Sequence, residues 1–283
     1  MRPVLKVSLH YLALAIISVL WLIPVYAMVV NGFKTDLEVT SSPVLVPPSQ
    51  FSIGAYIAVF SALARPLLNS LIVVVPTSVV SAFLGAMGAY FFYTLSYSHS
   101  RFSSTMSDVL FSLIALATFI PYQATLIPLT RLIVDMGLLN TYAGIIFAML
   151  IFYIPTGALL MSMFISVLPR SLVEAAKIDG TGDLKIFLRI VFPLSMPGFI
   201  STLIFIIIQS WNNFFIPLVL VTTPNMKLVS VAVESYTGGY GTLYNETFAA
   251  AMLASIIPLA IFIFLGRYFI RGLIALGGGG KGV

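Results

Sequence analysis

Cysteine is absent from the 283 residues, which removes disulfides and thiolate metal sites. Histidine occurs only at His10 and His99, far apart in the chain, so there is little material for a metal or nucleophile cluster. Charge is scarce as well: Asp, Glu, Lys and Arg make up 8% of the chain, where a soluble domain carries about a quarter. So little charge cannot coat a water-exposed surface. No Gly-x4-Gly-Lys-Ser/Thr stretch is present, so the chain has no loop of its own to cradle nucleotide phosphates. These absences predict no catalytic residue, no metal and no cofactor.

What is abundant is apolar. Hydrophobic residues make up 60% of the chain and fall into six separated blocks, 9–31, 67–95, 106–130, 142–166, 196–221 and 247–270. Each is about as long as a helix needs to cross a bilayer, roughly 20 residues or more when tilted. The predicted fold is all-α: one polytopic membrane domain over 1–283 with six transmembrane helices. The first block follows Arg2 and Lys6 like a signal peptide. It is longer than a typical apolar signal core and lacks a small-residue cleavage pattern, which predicts a retained signal-anchor helix. Pro24, Pro76, Pro121, Pro155, Pro217 and Pro258 lie within or beside the blocks and predict kinks.

The net charge of +5 is explained by orientation rather than by a nucleic-acid partner. With the N-terminus inside, ten cations lie in cytoplasmic segments: Arg2, Lys6, Arg101, Arg170, Lys177, Lys185, Arg189, Arg267, Arg271 and Lys281. Only Lys34, Arg65, Arg131 and Lys227 fall outside, a positive-inside pattern that predicts a multi-pass protein of the cell membrane with both termini cytoplasmic. The outer segment from Gly32 to Pro66, with Pro43, Pro47 and Pro48, is predicted to be an ordered extracytoplasmic loop.

Charge concentrates in one cytoplasmic loop, 168–193, which holds Arg170, Glu174, Lys177, Asp179, Asp183, Lys185 and Arg189. Ser171 and Glu174 have the spacing of a capping box, Gly180 can end a helix in the left-handed conformation, and Asp183 can cap a second helix running to Phe192. The short first helix presents Ala175 and Ala176, small side chains suited to close docking. An amphipathic helix lying on the membrane surface is equally open on these grounds.

The string Glu174-Ala175-Ala176-x3-Gly180-x9-Ile190-x-Phe192-Pro193 resembles the EAA loop of binding-protein-dependent ABC importer permeases, E-A-A-x3-G-x9-I-x-L-P, with Phe192 in place of leucine. Asp179, Pro197-Gly198, Asn69-Ser70, Pro121, Pro128-Leu129, the run Gly137 to Thr141 and Trp211-Asn212 are similar to the carbohydrate-uptake, maltose-type members, specifically the smaller six-helix permease. The resemblance implies a heterodimer with a second permease, two ATP-binding cassette ATPases each gripping one EAA loop, an extracytoplasmic solute-binding protein and a sugar substrate. It assigns ATPase coupling to Glu174, Ala175, Ala176, Asp179 and Gly180, with Glu174 capping the helix and the two alanines packing into the ATPase groove.

Uncharged polar groups inside apolar spans are candidates for the substrate pathway: Asn69, Gln123, Gln209, Asn212 and Asn213, with Trp211 as a stacking surface. The same amides can instead join helices. Most aromatics are expected to face lipid or to pack. Asp108 and Glu246 fall near predicted interfaces, which explains them without ion coupling. The alternatives are an ion-gradient-driven secondary transporter, which needs a midplane carboxylate and leaves the EAA string unexplained, an ABC permease for another solute, and a membrane-embedded enzyme.

Overall fold

The computed structural model describes residues 3–97, 100–237 and 242–278, with side chains over 10–97, 100–237 and 242–268. Arg2, His99 and Lys281 lie outside the described residues, as do the side chains of Lys6 and Arg271. Among the described residues the chain is helical throughout, with no strand. Four helices among the described residues are long and apolar enough to cross a membrane, and two strongly bent helix pairs raise the number to as many as six. By contact the chain divides into two units, residues 1–67 with 231–257, and residues 68–230 with 258–283.

In the first unit, α1 (Pro3–Gly32) contains Pro24 and is followed by the short α2 (Asp36–Ser41). From His10 to Val30 α1 is apolar on nearly every side and has no buried residue; burial within the chain begins at Asn31 and Gly32. A helix of that kind is stable only against lipid or another polypeptide. Thr35 caps α2 by accepting from the Glu38 N–H at 3.3 Å.

The segment expected to be a loop up to Pro66 is instead helical from Gly54, where α3 (Gly54–Ser96) begins. Ala55, Val59 and Leu63 recur at the four-residue helical spacing and are buried against Ala249 and Ala250. The latter pair lies in α13 (Tyr244–Gly278), which contains Pro258. That small-residue stripe is why the helix extends beyond the predicted span 67–95. At 43 residues α3 measures about 65 Å, twice a hydrocarbon core.

In the second unit, α4 (Arg101–Ala117) was expected to run on to residue 130. It stops, and a 91° bend separates it from a 3-10 turn (Tyr122–Thr125) and α5 (Leu126–Asp135). Pro121 at the break is extended (φ −61, ψ 112) and has no N–H to continue a helix. Next, α6 (Tyr142–Ile165) carries Pro155 and packs closely on α3, with Gly157 facing Ser81 and Gly85 facing Gly157.

The family-like run Gly137 to Thr141 is a structural turn. Gly137 and Asn140 have φ of 69 and 57, and Thr141 caps α6 by accepting from the Gly144 N–H at 3.0 Å. Asn140 Oδ1 accepts from the Thr222 and Thr223 N–H groups at 3.0 and 3.1 Å.

After α6 come α7 (Arg170–Ile178), α8 (Asp183–Ile186), a π turn (Phe187–Val191) and α9 (Phe192–Leu194). An 80° bend then leads into α10 (Met196–Trp211). The fifth predicted span, 196–221, is broken by Asn212 to Phe214 before α11 (Phe215–Leu220). A 3-10 turn (Pro224–Met226) and α12 (Val229–Glu234) follow.

Candidate functional site

The charged loop folds as a short helix fixed by its ends. At the C-terminal end the Gly180 N–H donates to Lys177 O and the Thr181 N–H to Ala176 O, both at 3.0 Å, while Gly180 has φ +75. This is the paired 5→2 and 6→1 pattern that closes a helix through a left-handed residue. At the N-terminal end Pro169 holds the cap position, and no side chain bonds there. The expected capping box does not form: Ser171 lies one residue inside the helix, so Glu174 is not a cap but an exposed side chain on the next turn.

The second correction concerns the alanines. Ala175 is exposed, but Ala176 is 9% exposed and sits in the chain's own core with Val173, Tyr90, Ile186 and Phe187. A nine-residue helix has one face to bury, and here Val173 and Ala176, three apart, form it. The outward face is Ser171, Leu172, Glu174, Ala175, Ile178 and Asp179, with Ile178 86% exposed.

Asp183 is likewise not the cap of the next helix; Gly182 is, and without a side-chain bond. The Asp183 carboxylate instead pairs with Lys177 Nζ at 3.0 Å and accepts from the Tyr90 hydroxyl at 3.3 Å. Tyr93 donates to Leu168 O at 3.2 Å, and the Arg170 guanidinium stands 3.5 Å from the Tyr97 ring centroid. The three tyrosines were not foreseen as site residues. Their spacing, three and then four residues apart at the end of an apolar block, was the available signal.

The pathway candidates separate into two groups. Asn69 is wholly buried and fully used: its Nδ2 donates to Asn225 O and Lys227 O at 2.8 and 2.9 Å, and its Oδ1 accepts from Tyr142 at 2.7 Å. Beside it, Ser70 Oγ accepts from the Val229 N–H at 2.8 Å. Asn213 is also buried, donating to the Tyr153 hydroxyl at 3.2 Å and accepting from the Ile216 N–H at 3.1 Å. Trp211, at 4% exposed, has no open face on which a solute could stack. Asn69 and Trp211 are therefore corrected from pathway residues to packing and clamping residues, whereas Asn213 makes clamping bonds and also lines a cavity with Gln209 and Asn212. Each is drawn inward because a buried amide or indole must find its partners inside the chain.

Gln209 and Asn212 differ, being exposed and one helical step apart at the end of α10. They line a cavity of ≈ 250 Å³ together with Asn213, Thr118, Tyr122, Tyr153 and Thr156. Gln123 is exposed in the 3-10 turn at the break between α4 and α5 but is not among the lining residues. The cavity lining mixes hydroxyls, amides, aromatic rings and aliphatic groups and has no charged group. Asp108 is exposed in α4, and Glu246 sits in the first turn of α13, where the helix dipole favours a carboxylate. Among the described residues no group of three His, Asp or Glu side chains is placed to hold a metal.

Apolar helices long enough for a bilayer, a neutral cavity among them and a short exposed helix on a charged loop define a membrane permease, with no catalytic constellation among the described residues. The family model "Binding-protein-dependent transport system inner membrane component" matches residues 93–275, and the chain belongs to that family. It is 80% identical over 283 residues to the glucose import system permease protein GlcU of Saccharolobus solfataricus, covering 100% of this chain and 99% of that one. It is 30% identical to the osmoprotective compounds uptake permease protein GgtD of Synechocystis, over 95% of this chain and 91% of the relative. A crystal structure of a bacterial ABC transporter involved in alginate import has the same fold, with a TM-score of 0.73 and 22% identity over 94% of this chain and 96% of that one. The family's work is transport and not covalent catalysis.

Proposed function

We propose that this chain is one of two permease subunits of an ATP-driven importer for a sugar, glucose or a close analogue, and that two ATP-binding cassette subunits grip the complex from the cytoplasm. An extracytoplasmic solute-binding protein delivers the sugar, and the neutral cavity beside Gln209 and Asn212 belongs to the path. The observation that carries the coupling role is α7, a helix held on one side by its own chain and exposed on the other along Ser171, Glu174, Ala175 and Ile178. The sugar assignment is supported by the 80% identity to a glucose import permease.

The alternation of the loops between two sides has support from pairing. Tyr97 at the end of α3 meets Arg170 just after α6, and Asn140 before α6 meets Thr222 after α11. Alternating spans bring these loops together in pairs on opposite sides, and the positive-inside count assigns the 168–193 side to the cytoplasm.

Because the chain has no cysteine, single cysteines can be introduced without a background. Ser171→Cys in α7 is expected to react with a membrane-impermeant thiol reagent only when the cytoplasmic face is open, and Ser41→Cys only from outside. In proteoliposomes holding both permeases and the ATPases, loaded binding protein is expected to stimulate ATP hydrolysis and glucose uptake. Gly180→Val should abolish that stimulation while the subunit still inserts, and Gly180→Asn should retain most of it, because asparagine tolerates φ above zero and a β-branched residue does not. Labelling of Ser171→Cys from outside, or a complex that assembles without any P-loop ATPase, would sink the assignment.

A further inference from the structure

We infer that Tyr90, Tyr93 and Tyr97 form a transmission contact that carries displacement of α7 into α3, a helix to which α7 is not connected by adjacent chain. The inference rests on the coupling role proposed above for α7 and names the residues that pass the motion on. Tyr90 and Tyr93 are three apart in the last two turns of α3, and Tyr97 follows four residues further on, just past the helix end at Ser96.

Each touches a different point of the loop. Tyr93 holds Leu168 O, two residues before α7 begins; Tyr97 lies under the guanidinium of Arg170, the first residue of α7; and Tyr90 holds Asp183, which is also the partner of Lys177 in the last turn of α7. The contacts therefore bracket α7 at both ends. Between them Val173 and Ala176 are buried against Ala86, Ala89 and Phe187.

Nine residues are too few to keep a helix in water, so the position of α7 comes from these contacts. A cavity of ≈ 700 Å³ opens beside them, lined by Met87, Thr94 and Leu95 of α3 and by Glu174 and Leu184. The cavity is lined by the three tyrosines as well, so on that side they are the polar contacts between α7 and the end of α3, added to the apolar packing of Val173 and Ala176. The covalent route towards α8 passes through the Gly180 turn, which the Lys177–Asp183 pair spans, so displacement of α7 reaches Asp183 and hence Tyr90 by that route as well. A force applied to the exposed face of α7 must either move the end of α3 or break the three contacts and the packing of Val173 and Ala176 between them.

The test uses the assembled complex in proteoliposomes, with basal ATP hydrolysis, hydrolysis stimulated by binding protein and glucose, and glucose moved per ATP as readouts. In the Tyr90→Phe/Tyr93→Phe double variant and in Tyr97→Leu, the stimulation ratio and the glucose-per-ATP ratio are expected to fall about three- to ten-fold, with basal hydrolysis and assembly unchanged. Tyr97→Phe keeps the ring under Arg170 and should match the parent. Two results would overturn the inference: unchanged ratios in all variants, or basal and stimulated rates falling together with the yield of complex, which marks a purely structural role. Absence of stimulation in the parent complex would instead remove the coupling reading itself.

Discussion

The ammonium of Lys34, wholly buried, donates to the Ser42 hydroxyl at 3.0 Å and at the same distance to Pro43 O. Its partners are neutral oxygens, so the ion is held by the curl of chain after α2 and that curl is held by the ion. Asn245 Nδ2 also donates to Lys34 O at 3.2 Å, and Phe33 stacks on Phe51 with ring centroids 4.6 Å apart. Hydrogen bonds from a charged donor are worth about 1.5–3 kcal/mol each. Lys34→Met keeps the side-chain stem and removes both bonds. It is expected to lower the stability of this region by about 2 kcal/mol or more, read as a lower melting temperature in detergent and faster proteinase K cleavage between Ser42 and Ile53.

The same loop is expected to respond to acid. The Ser49 N–H donates to the Glu38 carboxylate at 2.5 Å, and this bond, with smaller help from the Gln50 backbone and Lys34, holds the carboxyl below its ordinary value against the opposing effect of burial. A carboxylate with a depressed folded pKa contributes stability above its unfolded value, about 4.3, and loses it as pH falls through the folded value. Protease resistance of the 42–53 segment should therefore hold at neutral pH and decline below about pH 4. In Glu38→Gln it should be lower at neutral pH and much less dependent on acid.

The apolar blocks were legible because lipid imposes length and hydropathy on any helix that meets it. Where lipid does not decide, the sequence was a poorer guide. The helical turns from Gly54 to Arg65 read as loop because their buried stripe is mostly alanine and valine, facing Ala249 and Ala250 nearly two hundred residues on. The break at Pro121 read as a kink because a proline alone does not state how far the chain will turn. In the coupling loop, Gly180 was legible since only a backbone with φ above zero closes the helix there. The capping box failed for a local reason: Pro169 takes the cap position two residues before Ser171, leaving Ser171 inside the helix. Which of two adjacent alanines is buried depends on the helix's rotation against α3, and that lies in no local pattern.

Close approach of α3 and α6 gives a packing prediction. A Cβ on Gly157 would lie 2.5 Å from Ser81 O, and one on Gly85 would lie 2.6 Å from Ala158 N, in each case against backbone that cannot swing away. Membrane helices use such small residues to bring their backbones together. Gly157→Ala should force the helices apart and cost about 1–3 kcal/mol, seen as reduced detergent-resistant folding. Gly88→Ala is the control: its Cβ would meet Ala158 Cβ at 3.9 Å, ordinary contact, and should be close to neutral.

The two kinds of intramembrane amide should part in experiment. Asn69 makes three hydrogen bonds to Asn225, Lys227 and Tyr142, none of which a solute could share without unfolding the 225–229 turn. Asn69→Ala leaves two carbonyls and a hydroxyl unpaired in a buried place, at a cost of about 1–3 kcal/mol for each group that finds no water. It should lower melting temperature and amount of complex, with the KM for glucose unchanged in whatever complex survives. Gln209 is exposed to the ≈ 250 Å³ cavity and has no such duty. Gln209→Ala should leave melting within error of the parent and change transport alone, raising KM or lowering uptake per stimulated ATP by about three- to ten-fold, the worth of one lost solute hydrogen bond. The pair of measurements separates clamp from path: a melting defect in Gln209→Ala, or a glucose KM that shifts in Asn69→Ala, would reverse the roles assigned to the two residues.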